Sequence, residues 1–358
     1  MKHGGDLLSY KEYYEGDLID FSSNINPLGY PQGLEEEMNL GFESLKAYPD
    51  IQYRKLKESV AEYLGCTKDN IVLGNGSVEL IDNFIFLAKR VILCTPSFSE
   101  YELRAAVHGK ELVRIPYNED FTLKTMAIEN HLEEGDMLIL GNPNNPTGLR
   151  IKKEELLNIY SMVNSAEAFL LLDEAFFEFC PRDYDSIELF KSFDYDRVSI
   201  LRASTKFFAL AGIRLGYGCA SKSMASMIAQ IQLPWSINSL AEIAGRFIFK
   251  DKNYIEKSKT YIEIERKYLL EELSKVKGIQ VFHSHTNFIL IKLYAWKEEE
   301  AFLFFLRRGI VVRKCSSFVG LEENYIRIAV KDRESNERLL GVFRKLEKEK
   351  DFEEINPL

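Results

Sequence analysis

The stretch "AFLLLDEA", residues Ala168–Ala175, is a short apolar run that ends in two acidic residues. A continuous run of this length is typical of a strand buried on both faces, as in a parallel sheet covered by helices. The same pattern recurs in four other segments: "RVILCTP" (90–96), "DMLILGNP" (136–143), "RVSILRAS" (197–204) and "LGYGCAS" (215–221). Amphipathic helical patterns such as Lys152–Asn164 lie between them. This alternation predicts an α/β architecture for residues 46–245.

The C-terminal third has a different pattern. A charged helical stretch, about Ser236–Lys275, could bridge two lobes, and a final helix is expected from about Arg333. Three strand-like runs lie between these helices: "NFILIKL" (287–293), "GIVVRKC" (309–315) and "NYIRIAV" (324–330). We therefore expect a large domain over residues 46–245, a small α+β domain over residues 246–358, and an N-terminal arm, residues 1–45, that contributes to the small domain.

Composition excludes several classes of function. The 358 residues are 46% hydrophobic and 28% charged, as in ordinary globular proteins, and the net charge of −9 is opposite in sign to the basic excess of nucleic-acid-binding proteins. The five cysteines form no CxxC pair, which favours a reducing compartment over a disulfide or zinc framework. No secretion signal or membrane span is recognisable, so we expect a cytoplasmic protein. His283 and His285 lack a third ligand nearby in sequence, so no metal site is expected.

Polar residues follow three of the apolar runs. "GNPNNPTG", Gly141–Gly148, makes a turn after a predicted strand, where ligands bind in open α/β sheets. Asp173 ends the next strand, where a carboxylate is desolvated, paired with a cation, or merely a helix cap or structural salt bridge. Lys206 follows one strand later, so both side chains should emerge at one edge of a right-handed parallel sheet.

The surroundings of Lys206 suggest a reactive amine. Taken alone, it would be interpreted as a surface lysine, but it lies in "LRASTKFFALAGIRLGYG" (201–218), among hydroxyl and apolar residues. A lysine that is partly desolvated beside other cations has a lowered pKa and can act as a covalent nucleophile. Arg214 could supply that neighbouring charge while also holding a phosphate.

Three further segments could bind parts of a ligand. In "LGNGSVELIDNFIFLA" (73–88) a glycine turn begins a helix, and free N–H groups at Gly76, Ser77 and Val78 would suit a phosphate, although the segment matches neither a dinucleotide fingerprint nor a Walker A loop. Phe98 could stack on a flat ring or lie in the core. Arg313 and Arg327 each interrupt a hydrophobic strand. If they face inward they predict a doubly anionic substrate, whereas strand alternation also permits an outward, solvated placement.

Together these segments resemble the fold-type-I pyridoxal-phosphate enzymes, in the branch that contains histidinol-phosphate aminotransferases. The resemblance rests on "NPNNPTG", "LDEAFFEF" and "STKFFALAGIRLGYG" in this order and covers nearly the whole chain. It implies a large domain with a mainly parallel seven-stranded sheet between helices and a small α+β C-terminal domain. Within the branch, the sequence is more similar to threonine-phosphate decarboxylases of cobalamin synthesis, on "HGG" (3–5), "DFSSNINPLGYP" (20–31), "YPDIQY" (48–53), "QLPWSINSLA" (232–241) and "NERLL" (336–340).

The resemblance implies a role for each candidate residue around pyridoxal 5'-phosphate. Lys206 would bind the cofactor covalently, Asp173 would pair with its ring nitrogen, Asn145 would contact the 3-oxygen, and Phe98 would stack on the ring. The cofactor phosphate would be held by Gly76, Ser77, Val78, Thr205 and Arg214, and by Tyr48 from the partner subunit of a homodimer. The substrate's carboxylate and phosphate would be held by Asn26, Arg313 and Arg327.

Two positions depart from the family pattern. Ala203 replaces a hydroxyl residue often found three positions before the lysine, so one phosphate contact is lost or passes to Ser204. Phe176 stands where the aminotransferases commonly have tyrosine, which leaves the 3-oxygen with one donor fewer.

The implied reaction is decarboxylation of L-threonine O-3-phosphate to (R)-1-aminopropan-2-yl phosphate. Transamination of histidinol phosphate with 2-oxoglutarate stays open, because the same residues serve both reactions. Decarboxylation of serine phosphate also stays open, since one methyl group is worth only about 1–3 kcal/mol of discrimination. A non-catalytic regulator of the same fold is disfavoured by the negative charge and by the absence of a DNA-binding module before the fold. We expect a small phosphorylated amino acid as the substrate, and neither nucleic acid nor membrane as a partner.

Overall fold

The computed structural model describes residues 4–353, and a central sheet of seven strands dominates its larger lobe. The strands, in chain order, are β1 (Ile19–Asp20), β2 (Ile71–Asn75), β3 (Arg90–Thr95), β4 (Glu111–Pro116), β5 (Asp136–Gly141), β6 (Phe169–Asp173), β7 (Val198–Ala203), β8 (Leu215–Cys219), β9 (Ile279–Val281), β10 (Phe288–Leu293), β11 (Ile310–Val311), β12 (Arg313–Lys314) and β13 (Tyr325–Ala329).

Helices cover the sheet and join the lobes. In chain order they are α1 (Leu34–Gly41), α2 (Arg54–Leu64), α3 (Ser77–Leu87), α4 (Ser99–Val107), α5 (Thr125–His131), α6 (Lys153–Ser165), α7 (Ser186–Lys191), α8 (Ser204–Phe207), α9 (Lys222–Ile231), α10 (Ser239–Ile248), α11 (Lys252–Leu273), α12 (Glu298–Leu306) and α13 (Arg333–Glu353). Short 3₁₀ turns span Leu8–Tyr13, Phe42–Lys46, Lys68–Asn70 and Phe177–Phe179. No helix within residues 4–353 is both long enough and apolar enough to span a bilayer.

The seven-stranded sheet has the order β2-β8-β7-β6-β5-β3-β4. β8 is antiparallel to both of its neighbours, whereas the pairs β7–β6, β6–β5, β5–β3 and β3–β4 are parallel. β5, β7 and β8 are buried along their whole length, as continuous apolar runs between two helical layers require. The predicted α/β class and mainly parallel seven-stranded sheet are confirmed.

The five strands predicted from apolar runs are present, and two more complete the sheet. β4 is an edge strand with several exposed residues, and its sequence "ELVRIP" contains no continuous apolar run. β2 has three apolar residues before its glycine. Both lack the pattern that marks a strand buried on two faces, which is why the sequence did not indicate them.

The small lobe contains a four-stranded sheet of order β12-β13-β10-β9. β1 pairs in parallel with β11, with Ile19 opposite Ile310, so the N-terminal segment contacts the C-terminal lobe. The predicted strand "GIVVRKC" is divided between β11 and β12, which pair with different partners. The domain boundaries near residues 45 and 245 stay a prediction, and residue 245 lies within α10.

The helical stretch predicted over about Ser236–Lys275 consists of two helices, α10 and α11. Residues 249–251 separate the two helices, and the Asp251 carboxylate accepts a hydrogen bond from the backbone N–H of Tyr254 as the N-cap of α11. An aspartate that caps a new helix favours this break over a continuous helix.

Candidate active site

A cleft opens between the sheet of the large lobe and the strands of the small lobe. It encloses about 1060 Å³, the open mouth included. Asp173 and Lys206 line it from the large lobe, and Arg313, Phe318 and Arg327 line it from the small lobe. Ligand sites in open α/β folds lie at this carboxyl edge of the strands.

Strand register brings the two central residues of the cleft to the same edge. Gly141 at the end of β5 pairs with Asp173 at the end of β6, and Asp173 pairs with Leu201 near the end of β7. The short helix α8 follows β7 directly and carries Lys206. The predicted convergence therefore follows from three adjacent parallel strands that end together.

The Lys206 amine loses its proton more readily than the amine of an exposed lysine. Desolvation by the surrounding protein, assisted by the positive charges of Arg327 and Arg214, lowers the pKa of Lys206 to about 8. Asp20 opposes this effect and Lys331 adds to it. At neutral pH an appreciable fraction of the amine is therefore unprotonated, as a covalent nucleophile requires.

Asp173 is a buried carboxylate with two donors. The Tyr101 hydroxyl donates to Oδ2 at 2.7 Å, and the backbone N–H of Ala175 donates to Oδ1 at 3.0 Å. Burial raises the pKa of Asp173, and these two hydrogen bonds act in the opposite direction. A cationic ring nitrogen in the cleft would favour the charged carboxylate further.

The N-terminus of α3 supplies an anion site next to Lys206. Ser77 and Val78 begin the helix and line the cleft, and the helix has no side-chain N-cap. The N–H of Gly76 is not available, because it donates to the carbonyl of Gly74 at 2.8 Å. The next two residues, Ser77 and Val78, carry N–H groups at the start of the helix, where an anion would be favoured.

Arg214 completes the anion site. Its guanidinium lies against Gly76, since a Cβ at that glycine would fall 2.2 Å from Nη2. Arg214 also has a φ of 61°, in the left-handed region that non-glycine residues rarely adopt. Thr205 lines the cleft beside it. These contacts place a cation and a hydroxyl near the two helix N–H groups.

Ser204 does not take over the phosphate contact expected at Ala203. Its side chain is fully buried, and its hydroxyl donates to the carbonyl of Leu215 at 3.1 Å. Ala203 lines the cleft without a polar group. The anion site therefore has one hydroxyl fewer than the family pattern provides.

Arg313 and Arg327 face inward, with only 4% and 6% of their surfaces exposed. The Arg327 guanidinium donates to the side-chain oxygen of Asn145 and, at 3.1 Å, to the carbonyl of Ser22. Both partners are neutral, and within residues 4–353 no hydrogen-bonded carboxylate balances this charge. Burial lowers the pKa of Arg327 to about 10. A desolvated guanidinium whose hydrogen-bond partners are neutral favours the binding of an anionic ligand.

Arg313 is held in place from its own loop. Its Nη2 donates to the hydroxyl of Ser317 at 2.7 Å, and its guanidinium lies 5.4 Å from the ring centroid of Phe318. Desolvation lowers the pKa of Arg313. The two arginines therefore present fixed positive charge to the same cleft.

Phe98 and Asn145 also line the cleft, but Asn26 does not. The Asn26 amide donates to the carbonyl of Phe207 at 2.8 Å and to the Ser258 hydroxyl at 2.9 Å, so it anchors the chain after Lys206 instead of a substrate. Asn24 lines the cleft in its place, and its side-chain oxygen is buried without a partner within the described residues. This corrects the predicted substrate role of Asn26.

Tyr48 lies on the surface and does not line the cleft of its own chain. Its side chain is 80% exposed and stacks on Trp235, with ring centroids 4.6 Å apart. Gly4 does line the cleft, and Gly5 donates to the hydroxyl of Ser22 at 2.8 Å. His3, named with these glycines in the resemblance, lies outside the described residues.

Sequence analysis missed Tyr101 and the segment from Asp20 to Ser23. Asp20 accepts hydrogen bonds from the backbone and hydroxyl groups of Ser22, and from Ser23, which shapes the wall of the cleft. A sequence signal existed for this turn, since aspartate followed by serines favours such local bonds. The contact between Tyr101 and Asp173 joins residues 72 positions apart and has no local signal.

The cleft fits the cofactor that the resemblance implies. A phosphorylated pyridine aldehyde needs a nucleophilic amine, a carboxylate for its ring nitrogen and a phosphate site. Lys206, Asp173 and the α3 N-terminus with Arg214 supply these three groups. The donor set alone therefore suits pyridoxal 5'-phosphate.

Comparison with known proteins shows the family to which the chain belongs. The family model "Aminotransferase class I and II" matches residues 16–343. A relative named "Putative threonine-phosphate decarboxylase" from Caldanaerobacter subterraneus subsp. tengcongensis is 41% identical, covering 97% of this chain and 94% of its own. Threonine-phosphate decarboxylase from Salmonella typhimurium is 32% identical over 91% of this chain and 90% of its own.

Solved structures share the fold. Histidinol-phosphate aminotransferase from Clostridium acetobutylicum superposes with a TM-score of 0.88 at 38% identity, over 93% of this chain and 100% of that one. Histidinol-phosphate aminotransferase from Sinorhizobium meliloti, in complex with pyridoxal-5'-phosphate, has a TM-score of 0.79 at 22% identity, over 91% and 90% of the two chains. The second likeness supports the fold alone.

Proposed function

Because this chain belongs to the aminotransferase class I and II family, we propose that it is a cytoplasmic enzyme that decarboxylates L-threonine O-3-phosphate to (R)-1-aminopropan-2-yl phosphate for cobalamin synthesis. Its cofactor is pyridoxal 5'-phosphate. One observation carries the choice of substrate class: two buried arginines share a cleft with Lys206 and Asp173. An amino acid with a carboxylate and a phosphate matches two guanidinium groups.

Each part of the cofactor has a proposed protein partner. Bound here, the cofactor supplies a ring that accepts the electron pair released when a bond at the substrate's Cα breaks. Asp173 would keep the ring nitrogen protonated, and Phe98 and Asn145 would hold the ring in place. The phosphate would bind to Ser77, Val78, Thr205 and Arg214.

The two arginines would select the bond that breaks. We propose that Arg313 and Arg327 fix the carboxylate and the phosphate of the substrate, with Asn24 as a further polar contact. Anchoring both anionic ends limits rotation about the bonds of Cα, so that one orientation of the carboxylate is retained. CO2 then leaves in preference to the Cα proton.

Lys206 would complete the reaction at Cα. When its amine is not bonded to the cofactor, Lys206 would act as a general acid. Since the pKa of Lys206 is about 8, the amine is mostly protonated at pH 7 yet gives up its proton readily. It can therefore deliver the proton that replaces the carboxylate at Cα.

We propose that the active form is a homodimer. Exposed apolar side chains lie close to Tyr48 in the sequence, at Leu40, Phe42, Leu45 and Ile51. Leu233 and Trp235 are also exposed, and Trp235 contacts Tyr48. Exposed apolar patches of this kind mark association surfaces. Tyr48 would reach the phosphate site of the partner subunit from this surface.

Histidinol-phosphate transamination is the second candidate. It is favoured by the 38% identity to the Clostridium acetobutylicum protein named for that activity. Histidinol phosphate also carries a phosphate but has no carboxylate. While it occupied the cleft, one of the two buried arginines would therefore have no anionic group to bind. That difference favours the decarboxylase.

Two parallel assays separate these candidates. The purified holoenzyme is given threonine phosphate alone, with serine phosphate as a comparison, and CO2 and the aminopropanol phosphate are measured. A second sample receives histidinol phosphate with 2-oxoglutarate and is assayed for glutamate. We expect CO2 from threonine phosphate. Glutamate formation without CO2 release would replace our proposal with the aminotransferase.

A further inference from the structure

A pair of thiols lies in contact outside the active-site cleft. The Sγ atoms of Cys66 and Cys219 are 2.8 Å apart, although the two residues are 153 positions apart in the chain. Cys66 follows Gly65, the C-cap of α2, and Cys219 is the last residue of β8. The function proposed above uses neither residue.

The two thiols differ in exposure and in chemistry. Cys66 is partly exposed, whereas Cys219 is fully buried. The hydrogen bond from the Cys219 thiol, together with the nearby charge of Lys191, lowers the pKa of Cys66. Burial raises the pKa of Cys219 well above its usual value. Cys66 is thus the more accessible and the more acidic thiol of the pair, and Cys219 is the buried thiol beside it.

A cation is held next to the accessible thiol. The Lys191 ammonium donates to the carbonyl of Gly65 at 2.8 Å, which places its charge at the residue before Cys66. The other three cysteines, Cys94, Cys180 and Cys315, are buried. The thiols of Cys180 and Cys315 donate to backbone carbonyls. Among the described residues, the features of a reactive dithiol occur together at this pair.

We propose that Cys66 and Cys219 form an oxidisable dithiol site whose co-reactant is hydrogen peroxide. The Cys66 thiolate attacks the peroxide, its sulfur becomes a sulfenic acid, and one water leaves. The Cys219 thiol then attacks that sulfur, a disulfide forms, and a second water leaves. The two thiols lose two electrons in total and one peroxide is reduced to two waters, so the step needs no other reactant.

The disulfide would close most of the large lobe into one loop. It would join the end of α2 to β8, which lies next to the edge strand β2 of the sheet. Closing a loop of this length restricts the unfolded chain, and disulfides over long loops stabilise the most in the entropic model. We expect the midpoint of thermal unfolding to rise by about 5 °C or more on oxidation.

The test uses the holoenzyme and hydrogen peroxide in slight molar excess. Thiols are counted under denaturing conditions, and an unreduced peptide digest is analysed by mass spectrometry. We expect the count to fall from five to three, with one cross-linked peptide pair that contains Cys66 and Cys219. Five remaining thiols, a different cross-link, or overoxidation of Cys66 without a link would each overturn the proposal.

Two variants separate the roles of the thiols, and a third is the control. Cys219→Ser should leave a sulfenic acid on Cys66 that dimedone labels, whereas Cys66→Ser should leave Cys219 unreacted. Cys180→Ser, a buried cysteine outside the pair, should still form the link. Dimedone label on Cys219 in the Cys66→Ser protein would contradict the assigned order of attack. Because the readouts are chemical, they do not depend on which reaction the enzyme catalyses.

Discussion

Burial gives single residues in the cleft much of their chemical character. Lys206 is desolvated beside other cations, so its amine loses its proton more readily than an exposed lysine does. Asp173 is held as an acceptor by Tyr101 and Ala175. Arg327 contacts neutral groups and keeps its charge for a ligand. Each group is therefore prepared for a partner of opposite charge or for a covalent bond.

The charge of Arg327 should be visible in how the cofactor attaches. It lowers the pKa of Lys206, so Arg327→Gln should raise that pKa above about 8. The free amine would then appear at higher pH, and the pH midpoint for loading apoenzyme with cofactor, followed by visible absorption, should move upward. Arg313→Gln is the matched control, since Arg313 is not among the charges that shift the pKa of Lys206 most. Equal midpoints for wild type and Arg327→Gln would contradict this electrostatic account.

Tyr101 should act as a positioning residue for Asp173. Tyr101→Phe removes the donor to Oδ2, and the pKa of Asp173 should rise because only the Ala175 hydrogen bond still opposes burial. We expect kcat to fall at least about tenfold, given about 1.5–3 kcal/mol for a hydrogen bond to a charged group. The acid limb of the pH profile should also move to higher pH.

Tyr217→Phe is the control for that variant. Tyr217 is equally buried and also donates to a carboxylate, that of Glu178 at 3.1 Å, but it lies outside the cleft. It should lower stability without moving the pH profile. A Tyr101→Phe enzyme that loses stability but keeps the wild-type profile would show that Tyr101 has only a structural role.

The positions of single residues could be predicted where a chemically reactive residue type follows an apolar run in the sequence. Lys206 and Asp173 each follow an apolar run, and that position alone brings them to the same sheet edge. Asn24 and Asn26 lie two positions apart in an irregular segment, so no periodicity distinguishes the one that faces the cleft. Tyr101 could not be found, because its partner is set by the packing of α4 against the sheet.

At the scale of elements, close packing of α3 on β8 positions the phosphate site. A Cβ at Gly216 of β8 would fall 2.4 Å from the backbone nitrogen of Ser77. The glycine therefore allows the start of α3 to approach the sheet next to Arg214. Helix N–H groups must be held precisely if they are to bind a phosphate.

Gly216→Ala should weaken cofactor binding by displacing the start of α3. We expect the dissociation constant of pyridoxal phosphate to rise about tenfold or more, the equivalent of roughly 1.4 kcal/mol. Equilibrium titration of the apoenzyme measures this. Gly212→Ala is the control, because no atom lies within 4 Å of its added Cβ. An unchanged dissociation constant in Gly216→Ala would contradict the proposed role of this contact.

Strands and helices with one clear hydrophobic pattern could be predicted, whereas those whose bounds depend on adjacent strands could not. Strands buried on both faces gave continuous apolar runs. The bounds of the edge strand β4 and of β11 and β12 depend on which strands lie beside them. The local sequence does not determine these neighbours. The break between α10 and α11 had a local signal in Asp251, which helical periodicity across the whole stretch obscured.

At the scale of the whole molecule, the exposed apolar surface around Tyr48 should form the dimer interface. Leu233 is 74% exposed there, so Leu233→Asp should yield monomers in light scattering and weaken cofactor binding, since Tyr48 would no longer reach a partner's phosphate site. Met126→Asp is the control, because Met126 is 76% exposed and lies on α5. Dimers that persist in Leu233→Asp, or fully active wild-type monomers, would contradict the proposal.

We propose that Lys206 binds the cofactor covalently, and the proposed function depends on this bond. Borohydride reduction of the cofactor-loaded enzyme, followed by peptide mapping, tests it most directly. The account predicts that the reduced pyridoxyl group is found on Lys206, in the peptide that contains "STKFF". A fully loaded and reduced enzyme with the label on another lysine, or with none on Lys206, would contradict the central claim.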